Sequence, residues 1–331
     1  MSALQRRDAN RYKDRKSVNR DDGADTKRCY ISTARLVENN KVVYLKHVTL
    51  TNMNNDQMNR YTVSQGTMLL PEEREAAAEN MRRNAYIQNV RLATEAMIYY
   101  NILQNGCEYI VKHNRIFKTG LYQLTIEMPD AGVPVLRVVE EMAARNEPND
   151  AFVLKMMDNV IRALQYCHAN GVVHCDLKCG NIVVDPATGA FKLMDFGMSR
   201  IQRVPHTLLP HETSVNPDTY QPPEILLGAD FDEKVDIFAL GCTFCTLIDI
   251  NQAFPALLST IPTAKERADF IYTHVCNGRA LDYIANPDVR RFTAELVAFD
   301  YRCRPCATLC LEKLLLLVGG SNAAPLRPPA F

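Results

Sequence analysis

The segment from residue 172 to 197 combines carboxylate, amine and amide side chains that together could transfer a phosphoryl group. Asp176 is followed by Lys178 and Asn181, and Asp195 comes after two short apolar stretches separated by a Pro-Ala-Thr-Gly turn. Phosphoryl transfer needs a carboxylate to orient or deprotonate the attacking hydroxyl, and oxygen ligands for the metal ions that neutralise the phosphate. Any one of these side chains could be a loop cap or a surface charge, so the prediction depends on their combination in this order.

In residue order and spacing, this segment resembles the catalytic loop and the metal-binding motif of eukaryotic protein kinases. The resemblance implies that Asp176 is the catalytic base and that Lys178 is the cation beside the transferred phosphate. It also implies that Asn181 and Asp195 are ligands of Mg²⁺. ATP is the second cofactor that the resemblance implies. A lysine two positions after the base resembles the serine/threonine branch of the family, so the expected substrate is a protein with a serine or threonine acceptor.

Motifs on either side extend the resemblance over roughly residues 21 to 318. Six residues take structural roles by this resemblance: His174, Phe196, Gly197, Glu224, Asp236 and Arg304. Glu224 stands in a Tyr-Gln-Pro-Pro-Glu motif that closes the activation segment, and it is expected to pair with Arg304. Asp236 is expected to hold the backbone of the catalytic loop by hydrogen bonds.

The amino-terminal half contains the residues that the resemblance assigns to ATP. The stretch 43–46 resembles the third-strand lysine motif, and a glutamate on the following helix is its expected partner. The stretch 126–129 resembles the hinge that reads adenine, with Ile126 as gatekeeper and the carbonyl of Glu127 facing the adenine amine. The expected ATP-binding residues are Gly23, Lys46, Glu95, Ile126, Glu127 and Met128.

The chain departs from the family pattern at five places. Gly23 is the one glycine left of the three in the phosphate-binding loop, and Tyr44 stands where the family has alanine against adenine. Pro129 has no N–H, so one adenine hydrogen bond is expected to be unmade. Cys175 replaces the arginine that binds activation-loop phosphate, which predicts activity control independent of phosphorylation. Pro217 falls where serine/threonine kinases often have a threonine that contacts the catalytic aspartate and lysine, and the neighbouring hydroxyls that could substitute for it are those of Thr213, Ser214 and Thr219.

These departures leave alternatives to an active serine/threonine protein kinase. A pseudokinase scaffold with weak or no nucleotide turnover is the second hypothesis, because the eroded glycine loop, Tyr44 and the unusual hinge all lie in the nucleotide-binding half. A small-molecule kinase of the aminoglycoside or choline type is the third, although the glutamate, aspartate and arginine motifs in the second half are those of protein kinases. The compact, divergent chain also resembles kinases encoded by large DNA viruses.

Patterns of hydrophobicity predict the elements that position these residues. The stretch 29–50 is rich in β-branched and aromatic residues with a polar break at 38–40, which predicts an antiparallel hairpin. Pro71 and the acidic residues after it predict a long helix running past Glu95. An apolar stripe from Val153 to Cys167 has helical spacing. The expected fold is therefore α+β, the bilobal protein-kinase fold with a small sheet-rich N-lobe and a larger helical C-lobe.

The expected domain organisation follows from these boundaries. Residues 1–20 are basic and poor in apolar side chains, which predicts a mobile arm that could dock a partner. The N-lobe is expected over 21–128 and the C-lobe over 129–320. Residues 321–331 form a proline-rich tail.

Composition excludes several partners. Lys plus Arg number 38 and Asp plus Glu number 38, so the net charge offers no attraction to nucleic acid or to a membrane surface. The apolar run Leu314–Val318 is far shorter than the roughly 20 residues of a membrane span. A polar amino terminus without a signal core predicts an intracellular protein, in the cytoplasm or nucleus, or in a host cell if it is viral.

The chain contains 11 cysteines. Four of them form two C-x-x-C pairs that superficially resemble a zinc site: Cys242, Cys245, Cys303 and Cys306. The first pair lies in an apolar helical pattern, where cysteine behaves as a small core side chain, so packing is the preferred interpretation. Cys175 and Cys179 could be oxidised if Lys178 stabilised their thiolates.

Overall fold

The computed structural model describes residues 12–17, 29–49, 94–103, 106–120, 123–145, 147, 150–202, 204, 206–210, 220–248, 260–277 and 279–320. Of these, the residues up to 103 and those of 112–130 form one compact unit. The residues of 106–111 and those from 131 onward form a second. The expectations for Gly23 and Pro217 concern residues outside the described ranges.

The first unit contains a five-stranded antiparallel sheet. Its strands are β1 (Tyr12–Ser17), β2 (Cys29–Leu36), β3 (Val42–Thr49), β4 (Arg115–Gly120) and β5 (Gln123–Pro129), in the spatial order β1-β2-β3-β5-β4. Alternate side chains of a strand face the same side, so residues two apart share a core. Accordingly Ala34 and Leu36 of β2 are buried with Val43 and Leu45 of β3.

The hairpin predicted from residue 29 is confirmed over β2 and β3. Its turn occupies residues 37–39, close to the polar break in the sequence. The N–H of Leu36 donates to the carbonyl of Lys41 and the N–H of Asn40 donates to the carbonyl of Leu36, both at 2.9 Å. Asn40 has φ of +58°, a left-handed conformation that asparagine tolerates better than most residues.

The mobile arm predicted for residues 1–20 is wrong for Tyr12–Ser17, which form β1 and pair with β2. Tyr12 is 7% exposed and its ring lies 6.2 Å from that of Phe117 in a stacked arrangement. The basic side chains of this segment do not prevent it from forming a strand. In a strand such side chains can point to solvent while an alternate aromatic residue supplies the burial.

The helix predicted to carry Glu95 is described only at its end. Residues 94–97 are helical, and a π-helical turn, Ile98–Ile102, follows. The predicted start at Pro71 lies outside the described residues.

The second unit is mainly helical. Its helices are α1 (Val135–Ala144), α2 (Asp150–Ala169), α3 (Pro223–Leu226), α4 (Lys234–Ile248), α5 (Ala264–Ile271), α6 (Arg279–Asp282), α7 (Pro287–Leu296) and α8 (Ala307–Gly320). Its short strands are β6 (Val133–Pro134), β7 (Val172–Val173), β8 (Ile182–Val184), β9 (Phe191–Leu193) and β10 (Arg200–Ile201), paired as β6-β8-β9 and β7-β10. The predicted α+β fold, with a sheet-rich first lobe and a larger helical second lobe, is confirmed.

Helix α4 is the central helix of the second unit's core. Its residues from Val235 to Leu247 are all buried, as expected of a helix that is apolar on every side. Cys242 and Cys245 lie within this buried run, where packing accounts for them. Cys303 and Cys306 are exposed.

Two further findings concern the described ranges alone. Within them, no helix is both long enough and apolar enough to cross a bilayer. Nor does this part of the chain gather three or more His, Cys, Asp or Glu side chains into a metal-binding group.

Gly241 is expected to be required for the packing of α4. A Cβ at this position would lie 2.5 Å from Cγ1 of Val297 and 3.0 Å from Cβ of Leu296. We expect Gly241→Ala to lower the free energy of unfolding by about 1–2 kcal/mol, because overpacking outweighs the gain in helix propensity. Gly319→Ala is the matched control, since a Cβ at that position would meet nothing within 4 Å. Urea denaturation checks both, and equal stability of the two variants would contradict the packing argument.

Candidate active site

Asp236 organises the start of the catalytic loop. This aspartate lies on α4 and is fully buried. Its Oδ2 accepts from the backbone N–H of His174 and its Oδ1 accepts from that of Cys175, both at 2.8 Å. Nε2 of His168 lies 2.9 Å from Oδ2. Cys175 has φ of +60°, a strained conformation for a residue with a Cβ, and the carboxylate holds the loop in it.

The loop that follows brings three predicted site residues together. Nζ of Lys178 lies 3.2 Å from both carboxylate oxygens of Asp176. Nδ2 of Asn181 donates to the Asp176 carbonyl at 2.7 Å and to its Oδ2 at 2.9 Å. Asp176 is 6% exposed, and the Lys178 side chain is 30% exposed. The carboxylate is therefore oriented by a cation and an amide, while the cation remains accessible to a charged group.

The Asp-Phe-Gly triplet is fixed by contacts on both sides. Asp195 has φ of +64°, and its Oδ1 accepts from the N–H of Gly197 at 3.2 Å. Phe196 is fully buried, and its ring meets that of His174 edge-on at 4.9 Å between centroids. Nε2 of His174 lies 3.1 Å from the carbonyl of Met194. These contacts attach the triplet to the catalytic loop and set the direction of the Asp195 carboxylate.

Glu224 and Arg304 form the buried pair that the sequence predicted. The guanidinium donates to both oxygens of the carboxylate, at 2.6 and 2.9 Å. Arg304 is 2% exposed, its Nε donates to the carbonyl of Ala298 at 2.8 Å, and the guanidinium lies 4.7 Å from the ring centre of Phe238. Bidentate geometry and additional acceptors are the conditions under which a buried ion pair can offset its desolvation.

Lys46 and Glu95 form an ion pair in the first unit, 49 residues apart in sequence. Nζ of Lys46 lies 2.7 Å from Oε1 of Glu95, and the two residues are 7% and 1% exposed. Tyr44 lies two residues earlier on β3, so it shares a face with Lys46. Burial raises the pKa of the Tyr44 phenol, with a contribution from the charge of Asp130.

The residues predicted to form the adenine-reading hinge lie in a strand. Ile126, Glu127 and Met128 lie inside β5, paired with β3, rather than in a linker. The Glu127 carbonyl, expected to face an adenine amine, accepts from the N–H of Asn114 at 2.7 Å. Pro129 is the last residue of β5, opposite Val43. The apolar residues after 122 continue the strand further than the resemblance to a hinge suggested.

Sequence reasoning also missed a polar cluster around the Glu127 side chain, which is fully buried. Its carboxylate accepts hydrogen bonds from the hydroxyl of Tyr12 and, at 3.0 Å, from Nδ2 of Asn114. Nε of Arg115 lies 3.3 Å from it. Burial raises the pKa of Tyr12, and the hydrogen bond to Glu127 adds to this. The cluster ties β1 to β5, and the lone tyrosine among basic residues was its one sequence signal.

Cys175 and Cys179 do not have the environment of reactive thiols. Partly buried Cys175 packs against the apolar cluster of Val173, Ile225, Phe231 and Val235. Burial raises the pKa of Cys175 well above its usual range and raises that of Cys179 to about 12. The hypothesis that Lys178 stabilises a thiolate here is wrong, because desolvation dominates at both sites.

We expect Glu224→Gln to lower the free energy of unfolding by on the order of 3–5 kcal/mol, because it leaves the Arg304 charge buried without a counter-charge. Glu141→Gln is the matched control. Glu141 pairs with Arg137 and Arg145 on the exposed face of α1, and its loss should cost less than about 0.5 kcal/mol. Urea denaturation measures both. A loss below about 1 kcal/mol for Glu224→Gln would show that the buried pair does not stabilise the fold.

Comparison with known proteins agrees with this geometry. A family model described as the protein kinase domain matches residues 72–316. Cyclin-dependent kinase 1 of Encephalitozoon cuniculi (strain GB-M1) is 30% identical over 223 residues, which make up 67% of this chain and 63% of that protein. The match thus spans somewhat under two thirds of that relative's length. The chain belongs to the protein kinase family.

Proposed function

We propose that this chain is an active serine/threonine protein kinase that transfers the γ-phosphoryl group of ATP to a protein hydroxyl. The observation that supports this most is the arrangement of Asp176, whose carboxylate is held by Lys178 and by the amide of Asn181. In the proposed reaction, the oxygen of the substrate hydroxyl bonds to the γ-phosphorus. Asp176 accepts the proton that this hydroxyl loses. The bond to the β–γ bridging oxygen breaks, and ADP leaves with the displaced electron pair.

The other site residues take supporting roles in this proposal. Lys178 offsets negative charge on the transferring phosphoryl group, and the Lys46–Glu95 pair positions the ATP phosphates. Asn181 uses its amide nitrogen on Asp176, which leaves its Oδ1 as an oxygen ligand, and Asp195 supplies a carboxylate. Carboxylate and amide oxygens fit the preference of Mg²⁺ for hard ligands. When bound, Mg²⁺ would neutralise charge on the phosphates.

The direct test is transfer from labelled ATP to a generic protein acceptor in the presence of Mg²⁺. We expect Asp195→Asn to reduce transfer by on the order of a hundredfold or more, since metal-held charge stabilisation is worth several kcal/mol. Asp288→Asn, at an exposed position on α7, should stay within about twofold of the wild type. Phosphoamino-acid analysis should place the label on serine or threonine, and label on tyrosine would contradict that specificity.

A pseudokinase scaffold is the second candidate, favoured by Tyr44, whose bulk lies on the same face as Lys46. If the chain is a scaffold, the wild type should transfer no label to any acceptor with any metal ion tested. Any background label should then equal that of the Asp195→Asn variant. ATP binding measured by calorimetry then separates a scaffold that holds nucleotide from one that does not.

We also propose that the activation segment is positioned without phosphorylation. Leu209 exchanges two backbone hydrogen bonds with Phe231, at 2.7 and 3.0 Å. Leu209 and Cys175 both pack on the apolar cluster described above. An apolar contact of Cys175 therefore occupies the position at which the family's arginine would bind a phosphate on the activation segment.

A polar network supports the same part of the segment. Nε2 of Gln202 donates to the carbonyl of Thr207 at 2.6 Å and to Glu233 at 3.2 Å. Nδ1 of His206 lies 2.6 Å from the other Glu233 oxygen. Burial acts to raise the pKa of Glu233, but hydrogen bonds led by His206 hold it below its ordinary value. The carboxylate therefore stays charged and keeps both partners in place.

Treatment with a broad-specificity phosphatase should change kinase activity by less than about twofold, because no phosphate is needed to order the segment. Leu209→Ala should lower kcat several-fold by weakening the apolar anchor. Its matched control is Leu208→Ala at the neighbouring exposed position, expected to stay within about twofold. Loss of activity on phosphatase treatment, or equal effects of the two variants, would overturn this proposal.

A further inference from the structure

One face of the sheet in the first unit carries Lys46, which positions the ATP phosphates in the proposed function. Side chains directly opposite one another on neighbouring strands share a face of the sheet. Lys46 lies opposite Ile126 of β5, and Tyr44 lies opposite Met128. Tyr44 is on the same face as Lys46, about 7 Å from it along β3 at roughly 3.3 Å per residue. A nucleotide whose phosphates contact Lys46 can therefore reach Tyr44 with its base.

The acceptor predicted for the adenine amine lies out of reach of a ligand. The carbonyl of Glu127 accepts from the N–H of Asn114 at 2.7 Å, and Glu127 is fully buried. A carbonyl has a second lone pair, but a residue with no accessible surface cannot offer it to a bound base. The contact predicted between Glu127 and adenine is therefore not available in this arrangement of β5.

Pro129 is the last residue of β5 and is partly exposed. Its carbonyl can accept a hydrogen bond, but proline has no N–H to donate. Adenine has an amine donor beside a ring-nitrogen acceptor, whereas guanine has ring N–H and amine donors beside a carbonyl. A lone acceptor can take a hydrogen bond from either base, and a donor beside it would be needed to separate the two patterns. The end of β5 therefore does not distinguish adenine from guanine.

Tyr44 offers a contact that does not depend on the edge of the base. It is more exposed than Ile126 and Met128, which share its face and are 2% and 6% exposed. An aromatic ring stacks on any base, because every base has a π-face. The ring can thus hold a base whose edge β5 does not read.

We propose that this chain binds a purine nucleoside triphosphate through its phosphates and by stacking on Tyr44, and that it accepts GTP as well as ATP. The inference concerns the nucleotide site of the proposed function and rests on the role given there to Lys46. Transfer from GTP forms and breaks the same bonds as transfer from ATP. The substrate oxygen bonds to the γ-phosphorus, and GDP leaves with the displaced electron pair.

Calorimetric titration with ATP and with GTP, each in the presence of Mg²⁺, tests the selectivity. We expect the two dissociation constants to agree within about threefold, because a site that reads a base by hydrogen bonds discriminates by far more. Tighter binding of ATP by more than about tenfold, or no binding of either nucleotide, would overturn the inference. Selective binding of ATP with transfer from labelled ATP would leave the kinase function standing. Equal binding of both nucleotides without any transfer would overturn that function and leave the selectivity inference intact.

Variants at position 44 test the role of the ring. Tyr44→Ala should weaken the binding of ATP and GTP equally, by about tenfold, because the stacking contact is lost. Tyr44→Phe keeps the ring and should retain most of the affinity. Tyr100→Ala is the matched control, since Tyr100 is 65% exposed, and its affinity should stay within about twofold of the wild type.

Urea denaturation establishes that each variant is folded. If Tyr44→Ala is not, Tyr44→Leu removes the aromatic ring while keeping apolar bulk, and it should weaken both nucleotides similarly. Unchanged or tighter binding by the variants without a ring would show that Tyr44 does not stack on the base, and so would overturn the proposal. A loss of affinity confined to one of the two nucleotides would overturn it as well.

Discussion

The second unit depends on one buried carboxylate. Asp236 accepts hydrogen bonds from two backbone N–H groups of the catalytic loop and contacts the imidazole of His168. Asp236 itself has no exposure to water. A charge buried in this way is tolerated only when each oxygen is hydrogen-bonded. The loop must therefore adopt the one conformation that delivers its two N–H groups to α4. The position of Asp176, one residue further on, follows from that requirement.

Two buried ion pairs, one in each unit, join residues that are far apart in sequence. Lys46 meets Glu95 across 49 residues, and Glu224 meets Arg304 across 80. Neither pair can form until the elements that carry its members have packed, because the pair itself cannot repay the entropy of closing such loops. The pairs therefore select the correctly packed state rather than drive folding. The apolar cores around β3 and α4 supply the driving force.

Prediction from sequence succeeded where the spacing of residues fixes the geometry. Asp176, Lys178 and Asn181 lie within six residues of one another, so their order in the chain nearly determines their contacts. It also succeeded for the buried pairs of Lys46 with Glu95 and of Glu224 with Arg304, which only the resemblance to a family linked. It failed where burial decides and no motif marks the residues. β5 continues through Ile126 and Met128 because both side chains are buried, and no composition rule marks where such a strand ends. The charge of Glu127 gave no sign of burial, since its partner Tyr12 lies 115 residues away.

Cys175 stands where the family has an arginine. Its replacement shows that the backbone conformation of the catalytic loop does not depend on the side chain that would bind an activation-loop phosphate. The left-handed conformation at this position costs on the order of 1–2 kcal/mol for a residue with a Cβ. Asp236 offsets that cost through the N–H groups of His174 and Cys175, which every non-proline residue possesses. The backbone geometry is thus independent of the side chain at 175. That side chain can instead contact the apolar cluster under Leu209, and so a cysteine can stand there while Asp176 keeps its place.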